Sequence, residues 1–230
     1  MNRKEGVKKF WLLVALLIGP LVFYLLILTG KNEFRRLPVL QKNVIDISVI
    51  EPSQQVAFKE RINIVCFFGK ELLQHKTNAL NLNEKIYKHF NGFKDFQFVI
   101  ILPEGTQEDA KELQSDLEFN TDISNWKFVY TSTENIQLIF NSFKTNLSLD
   151  QNSYIAQAFI VDKAVSLRGR NKDEDIHDGM LYGYNSETVS EIHQKMIDDV
   201  KILLAEYRLA LKKNKKKEVF TNPYKETEAK

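Results

Sequence analysis

The chain has a single cysteine, Cys66, among 230 residues. An intramolecular disulfide is therefore impossible. Thiol–disulfide exchange within the chain is excluded as well, because it needs an attacking and a resolving sulfur. The sequence also lacks a P-loop, a G-x-S-x-G elbow, a metal-binding CxxC pair and any internal repeat. It has no excess of charge of one sign: 32 basic residues stand against 30 acidic ones, a net charge of +2. That balance gives no field for holding nucleic acid.

Apolar residues are plentiful. They make up 43% of the chain, with 16 phenylalanines, so a substantial core can form. Residues Phe10 to Gly30 carry no charge. At ~1.5 Å per residue this run is about 30 Å long as a helix, the thickness of a bilayer's hydrocarbon core. Pro20 is tolerated in a membrane helix. No small-residue cleavage site follows the run, so it reads as an anchor rather than a signal peptide. Arg3, Lys4, Lys8 and Lys9 precede it, and Lys31, Arg35 and Arg36 follow it. The positive-inside rule then puts the N-terminus in the cytoplasm and the rest of the chain outside it.

The stretch from Ile62 to Leu82 organises the remainder. Ile62 to Phe68 is a run of β-branched and aromatic residues ended by Gly69, as expected of a strand buried on both faces. Leu72, Leu73, Ala79, Leu80 and Leu82 then mark a helix that runs to about Phe90, with Gly92 as its left-handed cap. Phe96 to Leu102 is a second buried strand, which makes a parallel βαβ unit. Thr106 caps a helix to about Leu117, Trp126 to Tyr130 is a third strand, and Thr133 starts a helix through about Phe143. Tyr154–Val161 and Ala164–Arg168 read as a hairpin, and Val44–Ile50 as an early strand. A last helix starts near Asn185 or Ser186, with Thr188 and Glu191 spaced as a capping box.

This order implies an α/β fold: a thioredoxin-like sandwich with a central mixed sheet, plus one N-terminal transmembrane helix. The expected organisation is a basic end (1–9), an anchor (10–30), a linker (31–37), the thioredoxin-like domain (38–211) and a basic, disordered tail (212–230).

In such a fold the chemistry belongs at the turn after the first buried strand. Cys66 lies inside that strand and reads as an inert core thiol. The turn offers Glu71 and His75, which share one helix face at i, i+4. A stable metal site needs a third ligand. Among the other histidines, His89 and His193 read as helix residues. His177 lies among Asp173, Glu174, Asp175 and Asp178 in a loop with no EF-hand spacing, which reads as solvated. The Lys212–Lys217 run reads as a solvated helix end, or as a contact for anionic lipid.

On these segments the chain resembles the Sco/SenC family of membrane-anchored copper chaperones, which assist assembly of the copper centre of cytochrome c oxidase. The resemblance covers residues 37–211. Its carriers are the N-terminal anchor, the Leu37–Pro38 start, the Phe67–Phe68 strand end and the Phe96–Pro103 strand with an acidic helix start after it. Trp126-Lys-Phe128 and the strand ending Ile160-Val-Asp162 complete it. The family's motif is two cysteines separated by three residues and a distant histidine, which together bind copper. Aligned on Phe67–Phe68, the two cysteine positions fall on Glu71 and His75, and the histidine position falls near Tyr154. Carboxylate and imidazole are harder ligands than the thiolates that select Cu(I).

The resemblance thus implies the family's fold and location without its copper or redox chemistry. It makes the chain a non-catalytic accessory in assembly of a respiratory oxidase, contacting oxidase subunits or other assembly factors. The location is the periplasmic side of a bacterial inner membrane, with the bilayer contacted through residues 10–30. No cofactor is expected. A metal chaperone with a site rebuilt on Glu71 and His75 is the second reading, and a thiol oxidoreductase or peroxidase using Cys66 the third.

Overall fold

A computed structural model describes residues 3–29, 36–176 and 179–221. The chain divides into residues 1–35 and residues 36–230. The first unit is a single helix, α1 (Arg3–Thr29), with Pro20 inside it. Its stretch Lys8–Leu25 is long and apolar enough to cross a membrane, and none of it is buried. Most of the expected linker (31–35), His177, Asp178 and residues 222–230 lie outside the described residues.

The second unit is built on β2 (Ile62–Phe67) and β3 (Phe96–Pro103), whose residues are buried throughout. Side chains of a strand alternate between faces. Ile62, Ile64, Cys66 and Phe68 enter one core layer, whereas Val65 and Phe67 enter the other. Apolar side chains are therefore needed on both faces, and the one polar residue in each strand, Asn63 and Gln97, is hydrogen-bonded to the other.

The sheet order is β1-β6-β5-β2-β3-β4. β2 pairs in parallel with β3, and β3 in parallel with β4 (Trp126–Thr131). On its other side β2 pairs antiparallel with β5 (Gln157–Val161), and β5 with β6 (Leu167–Arg168). Outermost is β1 (Val39–Gln41), antiparallel to β6. A parallel βαβ pair followed by an antiparallel hairpin on the same central strand is the thioredoxin-like arrangement expected from the order of segments.

Three helical segments cover the first face. One runs from a 3-10 turn (Leu72–His75) through α3 (Lys76–Leu82) and a π turn (Asn83–Tyr87) to α4 (Lys88–Phe90). The others are α5 (Gln107–Glu118) and the C-terminal helix, made of α7 (Val189–Glu191), a π turn (Ile192–Met196) and α8 (Ile197–Thr221). Their apolar residues join Phe96, Phe98 and Trp126 in one layer. The second face is covered by α6 (Thr133–Ser142) and by residues around Ile47 and Phe58. Phe67, Phe140, Phe143 and Phe159 meet edge-to-face there, the arrangement that ring quadrupoles favour.

The structure corrects several expectations. Val44–Ile50 is not a strand: Asp46 caps a short helix, α2 (Ile47–Ile50), and its carboxylate also accepts the N–H groups of Phe58 and Lys59. Three backbone donors converging on one side chain outweigh the alternating pattern. Gly92 does not take the left-handed conformation, and the helix before it ends on Asn91. Ser132, not Thr133, caps α6. The hairpin strands are shorter than expected, with β5 starting at Gln157 and β6 at Leu167. Glu191 bonds the N–H of Asn185 rather than that of Thr188, so no capping box forms. Finally, α8 continues to Thr221 through the Lys212–Lys217 run, where a disordered tail was expected. That run holds no glycine or proline, and lysine is a good helix former.

Candidate functional site

The turn after β2 is fixed from below. Gly69 has φ +66°, in the region that favours glycine. A Cβ there would lie 2.6 Å from the carbonyl oxygen of Asn152 and 2.9 Å from Cβ of Tyr154. Phe68 and Tyr154 form an isolated antiparallel bridge. The Lys70 N–H donates to the Asn152 carbonyl, and the Ile155 N–H to the Phe67 carbonyl. Asp150 shapes the facing loop, its Oδ1 accepting the N–H groups of Asn152 and Tyr154. The segment ahead of β5 is thereby pressed against the turn, 81 residues away in sequence from Glu71 to Asn152.

This contact gathers Glu71, His75 and Tyr154. The imidazole of His75 stacks on the Tyr154 ring, with centroids 3.4 Å apart and planes 7° from parallel. Asn152 Nδ2 donates to Glu71 Oε2 at 3.1 Å. The Tyr154 hydroxyl donates to Glu187 Oε1 at 2.8 Å and accepts from Asn78 Nδ2 at 2.8 Å. Burial, with the carboxylate of Glu187 beside it, pushes the Tyr154 hydroxyl well above its usual range, so it stays protonated. Glu71 is exposed and His75 half-buried.

Chemically this is a polar patch at a turn, in which the Tyr154 hydroxyl and one Glu71 oxygen are hydrogen-bonded and the His75 ring is stacked. Among the described residues no group of three or more His, Cys, Asp or Glu gathers as a metal would require. Cys66 points into the core at 1% exposure, and burial drives its thiol far above the normal range. The thiol is packed as a core side chain beside Ile64 and Phe68 in the same layer. Sequence reasoning missed Asn78, Asn152 and Glu187. They come from three segments, and only folding brings them to Tyr154.

The charged loop after β6 is not simply solvated. Arg168, at 5% exposure, pairs with Asp162 at 3.1 Å and with Glu206 of α8. Arg170 pairs with Asp199 at 2.6 Å, and Asp199 also accepts the Tyr184 hydroxyl at 2.7 Å. Lys195 bridges Asp173 at 2.6 Å and Asp175 at 2.7 Å. These pairs tie β6 and its following loop to the C-terminal helix. His89 lies in α4, and His193 is exposed on the π turn before α8.

No family model matches the chain, and no curated protein matches it. Several solved structures are similar to it. A SCO1/SenC family lipoprotein from Bacillus anthracis str. Ames is 16% identical, over 76% of this chain and 98% of that one, with a TM-score of 0.42. BsSco, a member of the Sco family of cytochrome c oxidase assembly proteins, is 15% identical over 71% and 94%, with a TM-score of 0.45. The thioredoxin domain of a thiol-disulfide oxidoreductase from Bacteroides vulgatus is 15% identical over 60% and 86%, with a TM-score of 0.35. Two of these three are of the family that the sequence resembles. The thioredoxin-like description itself stands on the strand order.

Proposed function

We propose that this chain is a membrane-tethered, thioredoxin-like accessory protein in the assembly of a respiratory oxidase, acting by binding partners rather than by copper or thiol chemistry. The tether is α1, and the folded unit lies on the periplasmic side of a bacterial inner membrane. The observation that carries the reading is the content of the turn after β2. Where the Sco/SenC resemblance calls for two thiolates and an imidazole, the chain holds Glu71, His75 and Tyr154. The Tyr154 hydroxyl is engaged by Glu187 and Asn78, and the His75 ring is engaged by Tyr154. The sole cysteine is buried away from them.

The test is affinity capture of the full chain from detergent-solubilised membranes. Recovery of oxidase subunits supports the assembly role, and their absence removes it. Loading the same preparation with Cu(I) and Cu(II) separates the two parts of the reading. Tight uptake near one equivalent, abolished by His75→Ala, would restore the metal-chaperone alternative.

A further inference from the structure

At the opposite end of β2 from the Gly69 turn, a cavity of about 280 Å³ opens beside Ile62. Ile62, Phe93, Leu204 and Tyr207 supply apolar lining, and Lys94, Lys163, Arg208 and Asp95 supply the charges. Three cations therefore face one carboxylate, and that carboxylate is already paired with Lys163. Lys163 also sits 5.5 Å above the Tyr207 ring. Lys94 and Arg208 are exposed, and neither has an acidic partner among the described residues.

The space is large enough to hold several waters. Ile62, Phe93, Leu204 and the Tyr207 ring offer them no hydrogen bond, so an apolar body placed among those side chains displaces them favourably. A carboxylate on that body would meet Lys94 and Arg208, which offer charge-assisted donors, while the one lining carboxylate, Asp95, is held by Lys163.

We infer that this cavity binds a small amphiphilic carboxylate, a medium-chain fatty-acid-like anion. Its tail lies among Ile62, Phe93, Leu204 and Tyr207, and its head on Arg208 and Lys94. The site is independent of the turn that carries the proposed function.

Calorimetric titration of the full chain in phosphatidylcholine nanodiscs, with empty discs as the blank, tests it. Octanoate should saturate at one equivalent. Octanol and octylammonium should bind at least about tenfold more weakly, the loss expected for a missing or reversed charge-assisted contact. The double variant Lys94→Glu/Arg208→Glu alters only exposed side chains. It should lose octanoate binding by a similar factor while keeping the parent melting temperature. Equal affinity for all three probes, no heat above the blank, or unchanged binding in the double variant would each overturn the assignment. Discs containing phosphatidylglycerol form the second arm. Octanoate binding that persists there supports a free ligand. Binding abolished there gives the cavity to membrane lipid and overturns the proposal.

Discussion

The turn after β2 and the contact between β6 and α8 are both rich in polar side chains, but the two regions are held by different physics. At the turn, Glu71, His75 and Tyr154 sit at or near the surface and are joined by neutral or singly charged hydrogen bonds and one ring stack. At the helix contact, Asp162 and Arg168 are nearly inaccessible, and each is committed to an opposite charge. A buried charge without its partner is expensive, whereas an exposed one is easily solvated. The comparison teaches that the most polar part of the interior is scaffold, and that the position expected to carry chemistry is only lightly fastened.

Removing Arg168 should break that contrast most severely. Arg168→Ala strands Asp162 at 3% exposure, and loss of one partner of a buried pair costs about 3–5 kcal/mol. Urea unfolding followed by circular dichroism should show this loss. A change below about 1 kcal/mol, as for a surface pair, would mean that the two regions do not differ.

Gly69→Ala should come next. The left-handed conformation alone costs roughly 1–2 kcal/mol for a residue with a Cβ, and the approach of Asn152 and Tyr154 adds to it. The same unfolding measurement should place the loss above about 2 kcal/mol.

Loosening the site itself should cost less. Tyr154→Phe removes two hydrogen bonds, one of them from the buried Asn78, for about 1–2 kcal/mol. His75→Ala should cost about 0.5–1.5 kcal/mol, the range of a ring pair. A thermal melt resolves both, and a larger loss than for Arg168→Ala would invert the comparison.

The smallest effect concerns pH. Burial raises the pKa of Asp173, but the hydrogen bonds from Lys195 and the Asp175 N–H outweigh it and hold the carboxyl below its ordinary value. Its stabilisation is therefore complete above the unfolded carboxylate pKa of about 4, and is lost as pH falls through the lower folded value. Asp173→Asn should flatten the acid limb of the stability profile and leave its shape near neutral pH unchanged. An unaltered acid limb would detach Asp173 from the network.

Much of the fold was legible because β2, β3 and β4 are short runs dominated by apolar and aromatic residues, and the helices between them repeat at helical spacing. The short elements were not. Asp46 turned an alternating segment into a capped helix through donors at Phe58 and Lys59. Val165, with φ +56°, occupies a hairpin position where the chain offers no glycine as a signal. At the site, Glu71 and His75 could be named from their distance to Phe67–Phe68, and Tyr154 from its place before the hairpin. Their partners Asn78, Asn152 and Glu187 could not, since a lone amide or carboxylate carries no periodicity.

The sequence by itself determined the chain's limits. One cysteine forbids internal disulfide chemistry, an uncharged N-terminal run supplies a helix able to span a bilayer, and the order of apolar runs selects a thioredoxin-like sheet. These follow from composition and local pattern, which act without distant contacts. Only the tertiary structure decided what the polar residues do. It stacked His75 on Tyr154, paired Arg168 with Asp162 and Glu206, and collected cations around Ile62 and Leu204. The reason is that charge and hydrogen-bond energies depend on burial and on partners tens of residues away, and neither exists until the sheet has formed.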